Sequence, residues 1–203
     1  PVLLFLHGSS GLAPFMAEFQ RWAATELGLI TVAPDSLAIP GRLTYTSPVP
    51  VAVYERIHAL RAAELAFALD RLRALPWVDP ARIAVGGTSE GSVPVARLGA
   101  EPGTAARLVF AWSCERNYFV EEPRTAIPTT TPVLNVIATR DPYFSASYAP
   151  NANFPVRGSC AAALAGHGDA LIVQPVTDRH TLINDPPLRP TIAAFLRRTL
   201  RLP

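Results

Sequence analysis

The sequence predicts an α/β domain in which a mostly parallel sheet carries helices on both faces. Short apolar runs of strand length alternate with longer amphipathic runs of helical period from one end of the chain to the other, which is the pattern of strand-helix-strand units. Hydrophobic residues make up 49% of 203 residues, enough for one core without metals or a disulfide framework. No repeat, low-complexity segment or shift in composition divides the chain, so residues 1–203 read as a single domain.

Each element has its own signal. Val2 to Leu6 is wholly apolar and reads as a buried strand, followed by the turn His7-Gly8-Ser9-Ser10-Gly11 and a helix with Phe15, Phe19 and Trp22 on one face. Leu29 to Ala33 is the next strand, closed by Pro34-Asp35. Residues 36–52 are rich in proline and lack a period, so they read as a surface excursion able to carry binding residues. A long helix spans about Val53 to Leu75, with Ile57, Leu60 and Leu69 near helical spacing, until Pro76 and Pro80 stop it. Arg82 to Val85 is a short strand leading into Gly86-Gly87-Thr88-Ser89-Glu90-Gly91 and a helix ending near Gly99. Leu108 to Trp112 and Val133 to Ala138 are further strands, separated by a polar, aromatic loop. Cys160 to Ala165 reads as a short helix, Ala170 to Val176 as the last strand and Thr191 to Leu200 as the closing helix.

Charge excludes some partners. The 18 basic residues, all arginine, and 16 acidic residues are spread along the chain for a net +2, so no block of one sign points to nucleic acid or a membrane surface. A small, weakly charged substrate fits better. No apolar run approaches the roughly 20 residues that span a bilayer, and no signal-peptide pattern opens the chain. The sequence starts at Pro1 rather than methionine, so a mature or trimmed product is expected. Cys114 and Cys160 have no metal-ligand spacing, and neither metal nor cofactor is expected. A bridge between them and a pair of buried thiols are both open readings; only the bridge would point to an extracytoplasmic compartment.

The strongest chemical signal is Gly87-Thr88-Ser89-Glu90-Gly91, a G-x-S-x-G pentapeptide between a predicted strand and a predicted helix. Such a turn holds its serine in a strained conformation above the sheet, at a helix start where N–H groups favour negative charge. Glycine-rich turns can also cradle phosphate, but the spacing is not G-x-G-x-x-G. A serine hydroxyl needs a base and a group to orient it. Of four histidines, His7 lies in the first turn, His58 inside the long helix and His167 in a Gly-His-Gly turn, while His180 follows the last strand. Asp141 stands just beyond the strand Val133 to Ala138. Taken singly, a loop histidine is most often a solvated side chain and an Asp-Pro pair a turn former. All three residues, however, fall at the same strand ends, which favours Ser89 as nucleophile, His180 as base and Asp141 as the orienting acid, with Asp178 and Glu115 as fallback acids. The N–H groups of Ser9 and Glu90 are the expected oxyanion donors, with the Glu90 side chain turned away toward a salt bridge.

With its His7-Gly8-Ser9-Ser10-Gly11 turn, the Gly87 to Gly91 pentapeptide, Arg140-Asp141-Pro142 and Arg179-His180, the sequence resembles the α/β-hydrolase superfamily over nearly its whole length, and dienelactone-hydrolase-like proteins within it. Serine, aspartate and histidine also follow one another in that superfamily's order. Dienelactone hydrolases use a cysteine nucleophile, so Ser89 at that position implies ordinary ester hydrolysis. The resemblance implies further strands ahead of the His-Gly turn, so the N-terminal edge strands are expected to be missing by truncation. Trp112, Arg116, Tyr143 and Phe144 are the expected substrate contacts, joined by Arg42, Tyr45 and Tyr118 in the same loops. No long apolar insertion suggests a lipase lid, and short or medium acyl esters are the expected substrates. A prolyl-oligopeptidase-like peptidase and a non-catalytic binding protein are the rival readings.

Overall fold

The computed structural model describes residues 1–101 and 103–203. Its six strands, β1 (Val2–Leu6), β2 (Ile30–Val32), β3 (Ile83–Thr88), β4 (Thr104–Phe110), β5 (Val133–Val136) and β6 (Ala170–Val173), form one parallel sheet in the order β2-β1-β3-β4-β5-β6. The helices are α1 (Pro14–Leu27), α2 (Val51–Arg73), α3 (Ser92–Arg97) and α4 (Arg189–Leu200).

Both sheet faces are covered, which is why the central strands are apolar at every position rather than at alternate ones. On β1, Val2, Leu4 and Leu6 join the core under α2 and α3, whereas Leu3 and Phe5 join the core under α1 and α4. Each such side chain taken from water contributes roughly 1.5–3 kcal/mol. Helix α1 starts on Pro14, whose missing N–H is no loss in a first turn, and ends at Gly28 in the left-handed conformation (φ 64°). The inward face of α2 is not purely apolar: His58 and Arg61 are buried on it beside Ile57, Leu65 and Leu69.

The chain leaves β1 for β2 on one side and returns to β3 on the other, so the loops following β1 and β3 diverge at their C-terminal ends. In a parallel sheet such a switch point opens a crevice. Past β4, Cys114 and Cys160 are bridged across a sequence separation of 46 residues, so of the two readings left open the disulfide is the one found. The Asn135 side chain holds the same region, donating to the carbonyls of Val109 and Trp112 and accepting from Cys160 N–H.

Several boundaries differ from those the sequence suggests. Strand β3 runs on to Thr88, because Gly86 and Gly87 keep their register with Phe5 and Leu6. Strand β4 stops at Phe110, where Ala111 takes a positive φ of 49° and sends Trp112 out of the sheet. Cys160 to Ala165 is a run of turns rather than a helix: Leu164 N–H reaches Cys160 O, but the turn is not propagated and Gly166 reverses the chain at φ 88°.

Candidate active site

Ser89 directly follows β3 with φ 54°, a conformation costly for a residue with a β-carbon. Its neighbours make that turn possible. A β-carbon on Gly87 would lie 2.2 Å from Gly91 O, and one on Gly91 would lie 2.4 Å from Leu6 O. Only glycine at both positions lets strand, turn and α3 close on one another. The loop after β1 comes equally near, since a β-carbon on Gly8 would stand 3.3 Å from that of Ser89.

The structure brings Ser89, His180 and Asp141 together. The Ser89 hydroxyl lies 2.9 Å from His180 Nε2, and His180 Nδ1 lies 2.8 Å from Asp141 Oδ2. A carboxylate can only accept, so Nδ1 carries the proton and Nε2 is left to accept from the serine. Asp141 is 1% exposed, and its other oxygen accepts the N–H groups of Tyr143 (2.9 Å) and Phe144 (3.3 Å). Arg140 N–H donates to Thr177 O, which ties the Asp141 turn to the loop bearing His180. Neither fallback acid is near this pair: Asp178 is exposed, and Glu115 accepts from Ser113 and from the N–H groups of Arg157 and Gly158.

Beneath the site lies a buried polar network. His7 donates from Nδ1 to Gly8 O (2.6 Å), while its Nε2 accepts from Ser36 N–H (3.1 Å) and faces Arg61 (3.1 Å). Burial, reinforced by the Arg61 charge, pushes the His7 pKa down to about 4, so the ring is neutral and its tautomer fixed. The Glu90 side chain turns away from Ser89 and forms an ion pair with Arg42, accepts from Tyr45 (2.9 Å) and has Arg61 Nε at 3.7 Å. Burial and the adjacent Glu90 charge raise the Tyr45 pKa, which keeps its phenol a donor. Arg42 is thus spent on Glu90 and does not line the cavity.

Above Ser89 and His180 opens a cavity of about 290 Å³, with Ser9 and Glu90 at its floor. Trp112, Tyr143 and Phe144 line it, the last two with rings 4.7 and 6.0 Å from the His180 ring. Arg116 does not reach it. The Asn117 side chain bonds back to Ser113 O and Glu115 O, a turn that sends Phe119 into the cavity and leaves Arg116 exposed over the Phe154 ring. Sequence reasoning missed Phe119, Tyr54 and His58 as lining residues. For the last two the available signal was a polar side chain on the apolar face of α2. Among the described residues, no group of three or more His, Cys, Asp or Glu could hold a metal ion, and no helix is long and apolar enough to cross a membrane.

No protein-family model and no curated protein matches the sequence. Solved structures do. The chain is similar to esterase PE8, at 20% identity and a TM-score of 0.65, over 98% of this chain and 92% of that one. It is similar to an esterase of Pyrococcus furiosus (14% identity, TM-score 0.66, 98% and 83% covered). It also resembles a protein from Xanthomonas campestris assigned to the α/β hydrolase superfamily (17% identity, TM-score 0.54, 98% and 97% covered). At these identities the likeness is one of fold.

Proposed function

We propose that this chain, which has the α/β-hydrolase fold, is a serine esterase cleaving carboxylic esters of small or medium size through an acyl-enzyme on Ser89. The observation that carries the reading is the hydrogen-bonded series from Ser89 through His180 to the buried Asp141, open to a cavity on the serine side. The esterase names of two structural neighbours agree with it.

In this mechanism the Ser89 oxygen attacks the ester carbonyl as its proton passes to His180 Nε2, and Asp141 stabilises the imidazolium by holding Nδ1–H. The carbonyl oxygen becomes an oxyanion held by the N–H groups of Ser9 and Glu90. Collapse of the tetrahedral intermediate breaks the carbon–oxygen bond to the alcohol, which takes the proton from His180. Water then attacks the acyl-serine with His180 again as base, releasing the acid and restoring Ser89. A serine where dienelactone hydrolases have cysteine supports simple esters over lactones as substrates.

A fluorophosphonate probe should label wild-type protein at Ser89 and leave Ser89→Ala unlabelled, with hydrolysis of p-nitrophenyl acetate lost in parallel. Asp141→Asn should lower kcat on the order of 10⁴-fold, because the histidine would lose its oriented tautomer. Absence of labelling in well-folded wild type would favour a binding protein.

A further inference from the structure

We propose that the inner end of the cavity is a hydroxyl-binding subsite, in which His58 Nε2 accepts a hydrogen bond from the hydroxyl of a hydroxyaryl ester. The inference rests on the esterase reading and names the substrate class of the same site.

His58 belongs to α2, is 4% exposed and lines the cavity. Its Nδ1 faces Glu55 Oε2 at 3.4 Å. Glu55 is itself fixed, accepting both terminal nitrogens of Arg97 (2.6 and 2.9 Å) and the N–H of Glu121 (3.1 Å). Burial alone would raise the Glu55 pKa, but the Arg97 bonds prevail and hold it down to about 2, so the carboxylate only accepts. The carboxylate beside Nδ1 favours the tautomer with its proton there, although the 3.4 Å contact is too poorly formed to count as a hydrogen bond. Burial, with the Arg97 charge beyond, pushes the His58 pKa down to about 4, so the ring is neutral near pH 7 and Nε2 presents a bare lone pair.

Nε2 makes no hydrogen bond within the protein among the described residues and, unlike Nδ1, is not sealed from solvent, on a residue that lines the cavity. With no protein donor to satisfy it, this acceptor is open to a donor hydroxyl of a ligand in the cavity. The cavity walls define the rest of the ligand. The His58 ring lies over Tyr54 (6.4 Å between centroids) and meets the Trp112 ring edge-on (6.1 Å). Trp112 meets Phe144 (5.1 Å), which in turn lies 6.0 Å from His180. An aromatic wall thus runs from the base to His58 and suits a flat, apolar body. No arginine lines the cavity among the described residues, and an acceptor nitrogen repels a carboxylate, so an acidic far end is disfavoured. A volume of about 290 Å³ matches a single ring better than a long acyl chain.

The test compares methyl 3-(4-hydroxyphenyl)propanoate with its des-hydroxy and 4-methoxy analogues. In wild type, kcat/KM should be about tenfold higher for the hydroxyl ester than for either analogue, the discrimination one hydrogen bond provides. His58→Phe should bring that ratio close to one, and His58→Gln, which keeps an acceptor, should restore part of it; thermal unfolding reports whether each variant is folded. If His58→Phe does not fold, binding of the three product acids to wild type decides, with the hydroxy acid expected to bind about tenfold more tightly. Equal kcat/KM across the three esters in wild type, or a preference that survives in folded His58→Phe, overturns the subsite. Fluorophosphonate labelling separates the two failures: labelling with indifferent turnover refutes the subsite alone, whereas no labelling and no ester turnover refutes the esterase reading, and acid binding then still judges His58.

Discussion

Arg61, fully buried in the middle of α2, donates to the carbonyl oxygen of His7 at 2.8 Å and so fastens the helix to the loop that faces Ser89. The same guanidinium lies 3.2 Å from Glu64 and 3.7 Å from Glu90. Removing it would take the cation from the Glu64 carboxylate and free the His7 turn, while Glu90 keeps Arg42. Arg61→Met should therefore lower stability by about 3–5 kcal/mol, read as the shift of a urea midpoint at constant m-value. Because the released loop carries Ser9, kcat should fall more than KM rises; an unchanged kcat would show that the clamp is purely structural.

Two glycines predict opposite phenotypes. In Gly8→Ala the new β-carbon would meet Ser89 Cβ and Thr88 O, each at 3.3 Å, a crowding that small shifts can relieve. Stability should change by less than about 1 kcal/mol while kcat drops, since the displaced atoms are those around Ser89, the proposed nucleophile. In Gly91→Ala the β-carbon would lie 2.4 and 2.5 Å from the fixed carbonyl oxygens of Leu6 and His7. Loss of more than about 3 kcal/mol is expected, measured by thermal and urea unfolding.

The Cys114–Cys160 bridge closes a loop of 46 residues, which restricts the unfolded chain by roughly 3–4 kcal/mol. Replacing both cysteines by serine should lower stability by that amount. Reductant should do the same to wild type and nothing to the double variant. An identical response of the two proteins would argue against the bridge.

Acid should weaken the fold earlier than carboxylate titration alone would. Folded His7 and His58 are held near pKa 4 against an ordinary 6.5, so the unfolded chain takes up protons first as pH falls. Their contribution is complete above pH 6.5 and is lost progressively toward pH 4, at most about 1.4 kcal/mol per pH unit for each ring. Glu55, depressed to about 2 from 4.5, extends the loss below pH 4.5. Urea midpoints at pH 8, 6, 5 and 4 should fall throughout this series below pH 6.5; a constant midpoint from 8 to 5 would contradict the buried neutral histidines.

The fold class was legible because a parallel sheet covered on both faces leaves an unmistakable alternation of short and long apolar segments. The positions of Ser89, Asp141 and His180 were legible for a related reason: each follows a strand, and parallel strands all point the same way. What escaped was set by side-chain direction. Nothing in the order of residues 115–119 says that Asn117 folds back on Ser113 and Glu115, sending Phe119 inward and Arg116 outward. Nor does the period of α2 reveal that His58 and Arg61 are buried, because burial there depends on Glu55, Glu64 and Glu90 arriving from other turns and another loop. The disulfide, left open by cysteine count, required the two loops beyond β4 and β5 to meet.

The turn at Tyr143 and Phe144 serves two masters: its amides hold Asp141, and its rings border the ligand space. Under the proposed mechanism selectivity and turnover are therefore coupled on that side, so diversifying positions 143 and 144 would disturb Asp141 along with the contact surface. The opposite side, supplied by Tyr54 and His58 from a regular helix, is free of that entanglement. For the proposed esterase, retooling toward new esters has its accessible route there, through α2.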